Sequence, residues 1–256
     1  NQPSSSYLIM KSFLLAALFL GINIPLLSGF NSDQGIHQPE DLLTNFLYDS
    51  YNSLKGTKNV PFDLFERGMI GFLQLKKQKQ ISDHQNFLTL IDFRRSSIEK
   101  RLWMIDLTTG EVLFNTLVSH GKNTGLEYAK TFSNKRHSNS SSLGFYKTSE
   151  SYYGRHGLSM RLDGLEQGFN DNARERAVVM HSANYVSDGF IEKHGRLGRS
   201  FGCPAIPQSF HKEMINHLKN SGVLFIYYPE KNYESNTLLN DREEALSFLT
   251  KEKELS

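Results

Sequence analysis

The sequence predicts a mainly β fold of the α+β class, with a helical preface before the strands and a helix after the only cysteine, Cys203. Short apolar runs bounded by turn residues indicate strands at 87–93, 102–107, 112–119, 177–180 and 223–228. Apolar residues at helical spacing indicate helices at 39–54 and from Pro61 to the cationic end at 76–79. The 256 residues include 38% apolar side chains, enough to bury a core around these elements.

The order of the elements follows from turn and helix-end signals. Thr109 and Gly110 form a turn between the second and third strands, so the first three strands are expected to form a β-meander. The polar run 121–142 is interpreted as a surface loop. Pro207 is expected to begin the helix after Cys203, and Gly222 to end it before the last strand.

Charge and the N-terminal run limit the classes of function. A formal net charge of +2 and the lack of any recognisable binding motif argue against dedicated nucleic-acid binding. Residues 10–29 pair one cation, Lys11, with an apolar core and small residues, as a secretory signal peptide does. Asn23 and Pro25 interrupt the run before it reaches the roughly 20 apolar residues of a membrane span. Export to the periplasm or cell envelope is therefore expected, and an uncleaved signal would give transient membrane contact.

The stretch 177–207, AVVMHSANYVSDGFIEKHGRLGRSFGCPAIP, concentrates the chemistry. It begins with an apolar strand that ends in His181 and Ser182, and it closes on Cys203. Glycines and cations between them indicate a cationic loop. A lone cysteine is most often a small buried apolar residue, but an exported protein keeps an unpaired thiol only if the thiol has a use. The stretch therefore predicts a cysteine acyl-transfer site.

Each residue type has a chemical reason to be there. A thiol with a pKa near 8.5 is mostly protonated at neutral pH, so a nucleophilic Cys203 needs an imidazole or a cation beside it. His181 is the candidate base because its strand fixes its backbone. Ser182 would orient the imidazole through its carbonyl or hydroxyl group, the third role of a catalytic triad.

A tetrahedral oxyanion also needs N–H donors near the sulfur. Pro204 has no N–H, so the donors must come from Cys203 and from Gly202 or Phe201. Gly202 also lets the backbone approach a substrate closely. Six further residues are candidates for substrate binding: Arg196, Arg199, Ser200, His194, Asn184 and Tyr185. The two arginines could bind carboxylates of an acidic peptide by bidentate contacts, as could Arg174 and Arg176.

The His-Ser strand end, the loop rich in glycine and arginine, and the segment from Ser200 to Cys203 together resemble the catalytic segment of the murein L,D-transpeptidase (YkuD-like) family. The resemblance is to the branch in which GRLGRS precedes an aromatic residue and GCPA. It implies a YkuD-like β-sandwich or barrel-like domain, with Cys203 as nucleophile, His181 as base and the Ser182 carbonyl as orienting group. Better-known members have histidine where this chain has Phe201, and His194 is the candidate for part of that role.

This resemblance implies the domain organisation and the substrate. The expected parts are a signal peptide at 10–29, a helical preface at 39–80, the catalytic domain at 87–229, and a charged tail at 230–256 with a short helix near 243–249. Cys203 would attack a peptidoglycan tetrapeptide stem and release the terminal D-amino acid. A stem amine would then give a 3-3 cross-link, or water would give carboxypeptidase activity. The sequence leaves the acceptor and the oligomeric state open, and the chemistry needs no cofactor or metal.

Two alternatives belong to other classes. His181, Asp188 and His194 could be ligands of a zinc peptidase, but the Glu-x-x-His pair that such enzymes place later in the chain is missing. A non-catalytic module that binds the cell wall is the other alternative, and Cys203 would be dispensable for its binding.

Overall fold

The computed structural model describes residues 39–56, 59–82, 84–220, 222–237 and 239–254. Its strands are β1 (Lys55–Gly56), β2 (Phe87–Asp92), β3 (Leu102–Asp106), β4 (Glu111–Thr116), β5 (Gly144–Gly154), β6 (Gly157–Gly164), β7 (Val179–Ser182), β8 (Ala205–Ile206) and β9 (Gly222–Tyr227). They form one mixed sheet in the order β1-β4-β3-β2-β9-β5-β6-β7-β8. The site stretch supplies β7 and β8, at one edge of this sheet.

The helices of the described residues are α1 (Pro39–Asn52), α2 (Phe62–Lys77), α3 (Asp188–His194), α4 (Gln208–Leu218), α5 (Lys231–Asn236) and α6 (Arg242–Glu254). The predicted α+β class is therefore confirmed, including the helical preface and the helix that follows Cys203. Pro61 and Pro207 each precede a helix directly, as their sequence positions predicted. The proposed signal peptide at 10–29 lies outside the described residues.

The last strand joins the two halves of the sheet. β2, β3 and β4 form the predicted antiparallel meander, and β9 lies parallel to β2 on one side and antiparallel to β5 on the other. Every residue of β9 is buried, which explains its continuous apolar sequence. Phe225 stacks on Phe145 of β5, with ring centroids 4.1 Å apart. A Cβ on Gly71 would lie 2.1 Å from that Phe145 ring, so glycine lets α2 pack closely on the sheet.

The segment after β9 differs from the expected charged tail. It contains both α5 and α6, and Tyr233, Ala245 and Leu249 are buried. Gln74 of α2 donates through Nε2 to the carbonyl oxygen of Asp241, 2.9 Å away, just before α6. The short helix expected near 243–249 falls within the longer α6, which contact with α1 and α2 stabilises.

Candidate active site

The edge of the sheet brings three distant segments around Cys203. β7 and β8 pair in parallel, with His181 beside Ala205 and Ser182 beside Ile206. On the other side, the N–H of Ser119 donates to the carbonyl oxygen of Ala205 at 2.9 Å. Cys203 lies two positions before Ala205, in the turn that leads into β8, and so approaches β7 near the end that carries His181. Strand pairing thus brings the cysteine turn and the end of β7 to the same edge of the sheet, although Cys203 and His181 are 22 positions apart in the chain.

His181 has the environment that a base requires. Its side chain is buried, and Nδ1 lies 2.9 Å from the carbonyl oxygen of Ser182. A carbonyl can only accept, so Nδ1 carries the proton and Nε2 keeps its lone pair. Nε2 makes no hydrogen bond to any residue that the structure describes. Burial lowers the pKa of His181, with smaller contributions from the charges of His156 and His211, so the imidazole is neutral at neutral pH.

The thiol of Cys203 is half-buried and rests as a neutral donor. Sγ lies 3.8 Å from the carbonyl oxygen of Ala177 and donates to it. Burial raises the pKa of Cys203 above its ordinary value. The N–H of Val179 and the charge of Arg176 oppose that effect, and both favour the thiolate. In this conformation the thiol and the His181 imidazole are two neutral groups, and the thiol hydrogen bonds to the main chain.

The turn before Cys203 is held by Ser200. Its buried hydroxyl accepts from the N–H of Gly202 at 3.0 Å and donates to the carbonyl of Cys203 at 2.6 Å. Ser200 was expected to bind substrate, but its hydroxyl is used within the turn. Gly202 was expected to supply an oxyanion donor, but its N–H already has this partner. The loop therefore leaves the N–H of Cys203 as the main-chain donor next to the sulfur.

Gly202 itself lies in a conformation that favours glycine. Its φ is +125°, and a Cβ there would lie 2.7 Å from the carbonyl oxygen of Ser140 and 3.2 Å from Nη2 of Arg176. The close approach of Ser140 packs the polar segment 138–142 under the cysteine turn. That segment, expected to be part of a surface loop, contains buried serines at 140–142.

Arg176 is a residue of the site that the sequence pattern did not distinguish from Arg174. Its guanidinium is half-buried, donating to Ser142 Oγ at 3.0 Å and to the carbonyl of Ser140 at 2.6 Å. It forms no ion pair with any carboxylate of the described residues. Arg174, two positions earlier, points into solvent and pairs with Asp163 and Glu150 instead. Only the fold separates these two arginines, because both lie in the same charged run of sequence.

A second buried arginine braces the other side of the site. Arg101 is fully buried and donates to the carbonyls of Val118 and Arg95, and its Nη2 lies 2.9 Å from His120 Nδ1. His120 Nδ1 therefore accepts, and Nε2 donates to the carbonyl of Gly125 at 3.3 Å. Burial lowers the pKa of His120 to about 3 and that of Arg101 to about 9. This pair fixes the segment that pairs with the cysteine turn.

Arg196 and Arg199 are half-buried on the loop before Cys203. Arg196 donates to the carbonyl of Leu197 at 2.7 Å, and Arg199 donates to the carbonyls of Lys122 and Gly125 at 2.9 and 3.1 Å. Neither forms an ion pair within the described part of the chain. Burial and the charge of Arg196 lower the pKa of Arg199. Both guanidinium groups are thus oriented by main-chain oxygens and have no protein carboxylate partner.

The expected cationic loop contains a short helix instead. In α3 the side chain of Ser187 caps the first turn, and Gly195 ends the helix with φ +69°. These two cap residues are the sequence signal that could have predicted it. His194 is the last residue of α3, exposed and packed on Phe190 with ring centroids 4.2 Å apart. No described contact joins it to Cys203.

Three other positions complete the site. Asn184 is exposed, and its carbonyl accepts from Ser187 Oγ at 3.1 Å. Tyr185 is half-buried beside the thiol, and burial together with the charge of Cys203 raises its pKa to about 12, so its phenol stays protonated. Phe201, where better-known family members have histidine, is 71% exposed, with the Lys122 ammonium 5.5 Å from its ring centre.

The zinc alternative has no ligand set here. Among the described residues, no three His, Cys, Asp or Glu side chains converge so that they could hold a metal ion. His181 and His194, two of the residues it requires, have separate environments: the first is buried at the sheet edge and the second is exposed at the end of α3.

The described residues form an α+β fold around one mixed sheet. The family model described as the L,D-transpeptidase catalytic domain matches residues 56–227. The chain therefore belongs to the L,D-transpeptidase catalytic domain family, as its motif predicted. No curated protein matches the chain significantly.

Solved structures, two of them described as L,D-transpeptidases, are similar at low identity. The L,D-transpeptidase from Mycobacterium smegmatis is 13% identical with a TM-score of 0.34, over 56% of this chain and 59% of that one. The Ldtfm-avibactam carbamoyl enzyme is 13% identical with a TM-score of 0.35, over 57% and 50%. The L,D-transpeptidase (Yku) from Stackebrandtia nassauensis is 12% identical with a TM-score of 0.33, over 89% and 93%. The chain thus covers less than two thirds of the first two.

Among the helices that the structure describes, none has the length and apolar character needed to cross a bilayer.

Proposed function

We propose that this chain is an exported cysteine acyltransferase that acts on peptidoglycan stem peptides and forms 3-3 cross-links. The observation that supports the proposal is the pairing of β7 with β8, because His181, a buried imidazole whose Nδ1 is held by Ser182, then lies two positions in register from the thiol-bearing turn. Membership of the L,D-transpeptidase family supports the same reaction class and substrate.

The first half-reaction forms a thioester. Cys203 Sγ turns from the Ala177 carbonyl toward His181, and Nε2 takes the thiol proton as the sulfur attacks the carbonyl carbon on the L-side of the stem's diamino acid. The tetrahedral intermediate collapses, and the bond to the terminal D-amino acid breaks. His181 gives its proton to the leaving amine, so it ends the step neutral. The Nδ1 bond to Ser182 keeps Nε2 pointing outward throughout.

The oxyanion needs two donors in this scheme. The N–H of Cys203 is one. Tyr185 is the candidate for the other, because its phenol stays protonated and the charge of Cys203 is among the influences that raise its pKa. The N–H of Gly202 is unsuitable while Ser200 holds it.

The second half-reaction transfers the acyl group to an amine. A stem amine attacks the thioester carbonyl, His181 accepts the amine proton, and the departing sulfur recovers it. Arg196 and Arg199 hold the donor stem by its carboxylates, since neither has a protein carboxylate partner in the described residues. A peptide that carries carboxylates is therefore a better donor than its amidated form.

Incubation with a disaccharide tetrapeptide, followed by mass spectrometry, tests the proposal. We expect a cross-linked dimer and a covalent adduct on Cys203, and Cys203→Ala should give neither. Tripeptide without dimer would identify water as the acceptor and make the enzyme a carboxypeptidase. Product from Cys203→Ala, or loss of activity with a chelator but not with a thiol alkylator, would end the proposal. Binding to peptidoglycan without turnover would indicate a wall-binding module.

A further inference from the structure

The imidazole of His181 is covered by a second imidazole. The rings of His156 and His181 stack with centroids 4.5 Å apart and planes inclined by 25°. His156 lies in the two-residue turn of the hairpin formed by β5 and β6, where Gly154 pairs with Gly157. No other aromatic ring contacts His181 in the described part of the molecule.

The hairpin is anchored where this contact is made. β6 pairs with β7 so that Ser159 lies beside His181. His211 of α4 lies 2.6 Å through Nε2 from the carbonyl oxygen of Leu158, and so ties α4 to the first residues of β6. The ring of His156 therefore extends from a fixed turn over one face of the base, while its other side remains exposed.

Three titratable groups surround the base. His156 faces it from the hairpin and His211 from α4, and both charges disfavour the imidazolium of His181. Cys203 lies in the turn that leads into β8, the strand paired with β7. The ring of His156 is the one in direct contact, so it combines two effects: it shields His181 from water, and it repels a proton from His181 whenever it is itself charged.

We propose that His156 is a positioning residue that holds the plane of the His181 ring and keeps the base in its neutral form. The proposal rests on His181 acting as the base in the function proposed above. It adds His156 to the site. This residue belongs to a separate hairpin, outside the stretch 177–207 that carries the family motif. His156 itself takes no part in the proton transfer, which uses Nε2 of His181.

Two substitutions separate the two effects. In His156→Phe the flat ring remains and only the charge is lost, so the orientation of His181 should be preserved. In His156→Ala both are lost, so water reaches the ring and the pKa of His181 should rise more than in His156→Phe. Arg155→Ala changes the neighbouring residue of the same turn and serves as the control for disturbance of the hairpin.

The decisive measurement is a histidine NMR titration of the full chain, with the His181 signal assigned from His181→Gln. We expect the midpoint of His181 to rise in the order wild type, His156→Phe, His156→Ala, with Arg155→Ala equal to wild type. The Nδ1–H tautomer should persist in His156→Phe and become mixed in His156→Ala. In turnover of the tetrapeptide, the acid limb should move to higher pH, making His156→Ala roughly threefold slower near pH 6.

The outcomes distinguish this inference from the proposed function. An unchanged His181 midpoint and tautomer in folded His156→Ala would overturn the inference, whatever the turnover. If His156→Ala does not fold, an unchanged titration midpoint of His181 in His156→Phe would show that the charge of His156 does not act on His181. A shifted midpoint with no change in the acid limb of turnover would support the positioning role but contradict the assignment of His181 as the base.

Discussion

The sulfur of Cys203 donates to the carbonyl of Ala177, and Ala177 has a left-handed backbone conformation with φ +53°. Such a conformation is disfavoured for alanine by about 1 kcal/mol. The turn holds it, because the N–H of Ala177 donates to the carbonyl of Arg174 at 3.1 Å and the N–H of Val178 to that of Ala173 at 2.9 Å. Its carbonyl is thereby turned toward the thiol. A carbonyl oxygen can only accept a hydrogen bond, and only the protonated thiol can donate one. This contact therefore stabilises the neutral form of the nucleophile.

The first prediction concerns the pH dependence of thiol reactivity. Because burial raises the pKa of Cys203, the thiolate fraction at neutral pH should be lower than that of an unperturbed thiol. We expect alkylation by iodoacetamide to be slower than that of a small free thiol near pH 7 and to keep increasing above the ordinary thiol pKa of about 8.5. A plateau of the rate already reached below neutral pH would show a preformed thiolate–imidazolium pair and contradict this description.

The second prediction uses the two neighbouring arginines. Arg176 favours the thiolate of Cys203, whereas Arg174 is paired with Asp163 and Glu150 at the surface. Arg176→Gln should therefore slow alkylation of Cys203 by about three- to tenfold below the thiol pKa, since one nearby positive charge is removed. Arg174→Gln, with the same change of charge, should leave the rate within about twofold. Equal effects of the two substitutions would mean that only net charge matters.

The third prediction concerns the backbone of the cysteine turn. Gly202→Ala places a Cβ at φ +125° and against the carbonyl of Ser140, so it should cost about 1–3 kcal/mol of stability and lower acylation of Cys203. Gly189→Ala is the matched control, because nothing lies within 4 Å of its Cβ and α3 is helical there. It should be neutral or stabilising by up to about 1 kcal/mol. Urea unfolding and mass spectrometry of the acyl adduct measure both; full acylation of a stable Gly202→Ala protein would refute the prediction.

The fourth prediction concerns the buried brace. Arg101→Met would leave the carbonyls of Val118 and Arg95 and the Nδ1 of His120 without their donor. The free energy of unfolding should fall by about 3–5 kcal/mol, because each buried acceptor left without a donor costs about 1–3 kcal/mol. Arg136→Met, which removes an exposed pair with Glu175, should change it by about 0.5 kcal/mol or less. Similar unfolding midpoints for the two variants would show that Arg101 does not brace the site.

Much of this protein could be predicted from local sequence. The strands at 87–93, 102–107 and 223–228 are continuous apolar runs between turn residues, and short runs of this kind predict buried strands. The helices α2 and α4 follow proline and carry apolar stripes at helical spacing. The C-terminal helix α6 was missed in its full length because its stabilisation comes from docking on α1 and α2.

The sequence by itself determined the family, the sheet-rich fold and the thiol and imidazole that we propose for acyl transfer, because these depend on residue types at fixed spacing along one stretch. Only the tertiary structure decided which other groups surround them. It brings Arg176 to the thiol while its neighbour Arg174 faces solvent, and it turns His156 of a separate hairpin onto His181. Burial and charge act through space, so residues far apart in the chain set the ionisation of both groups.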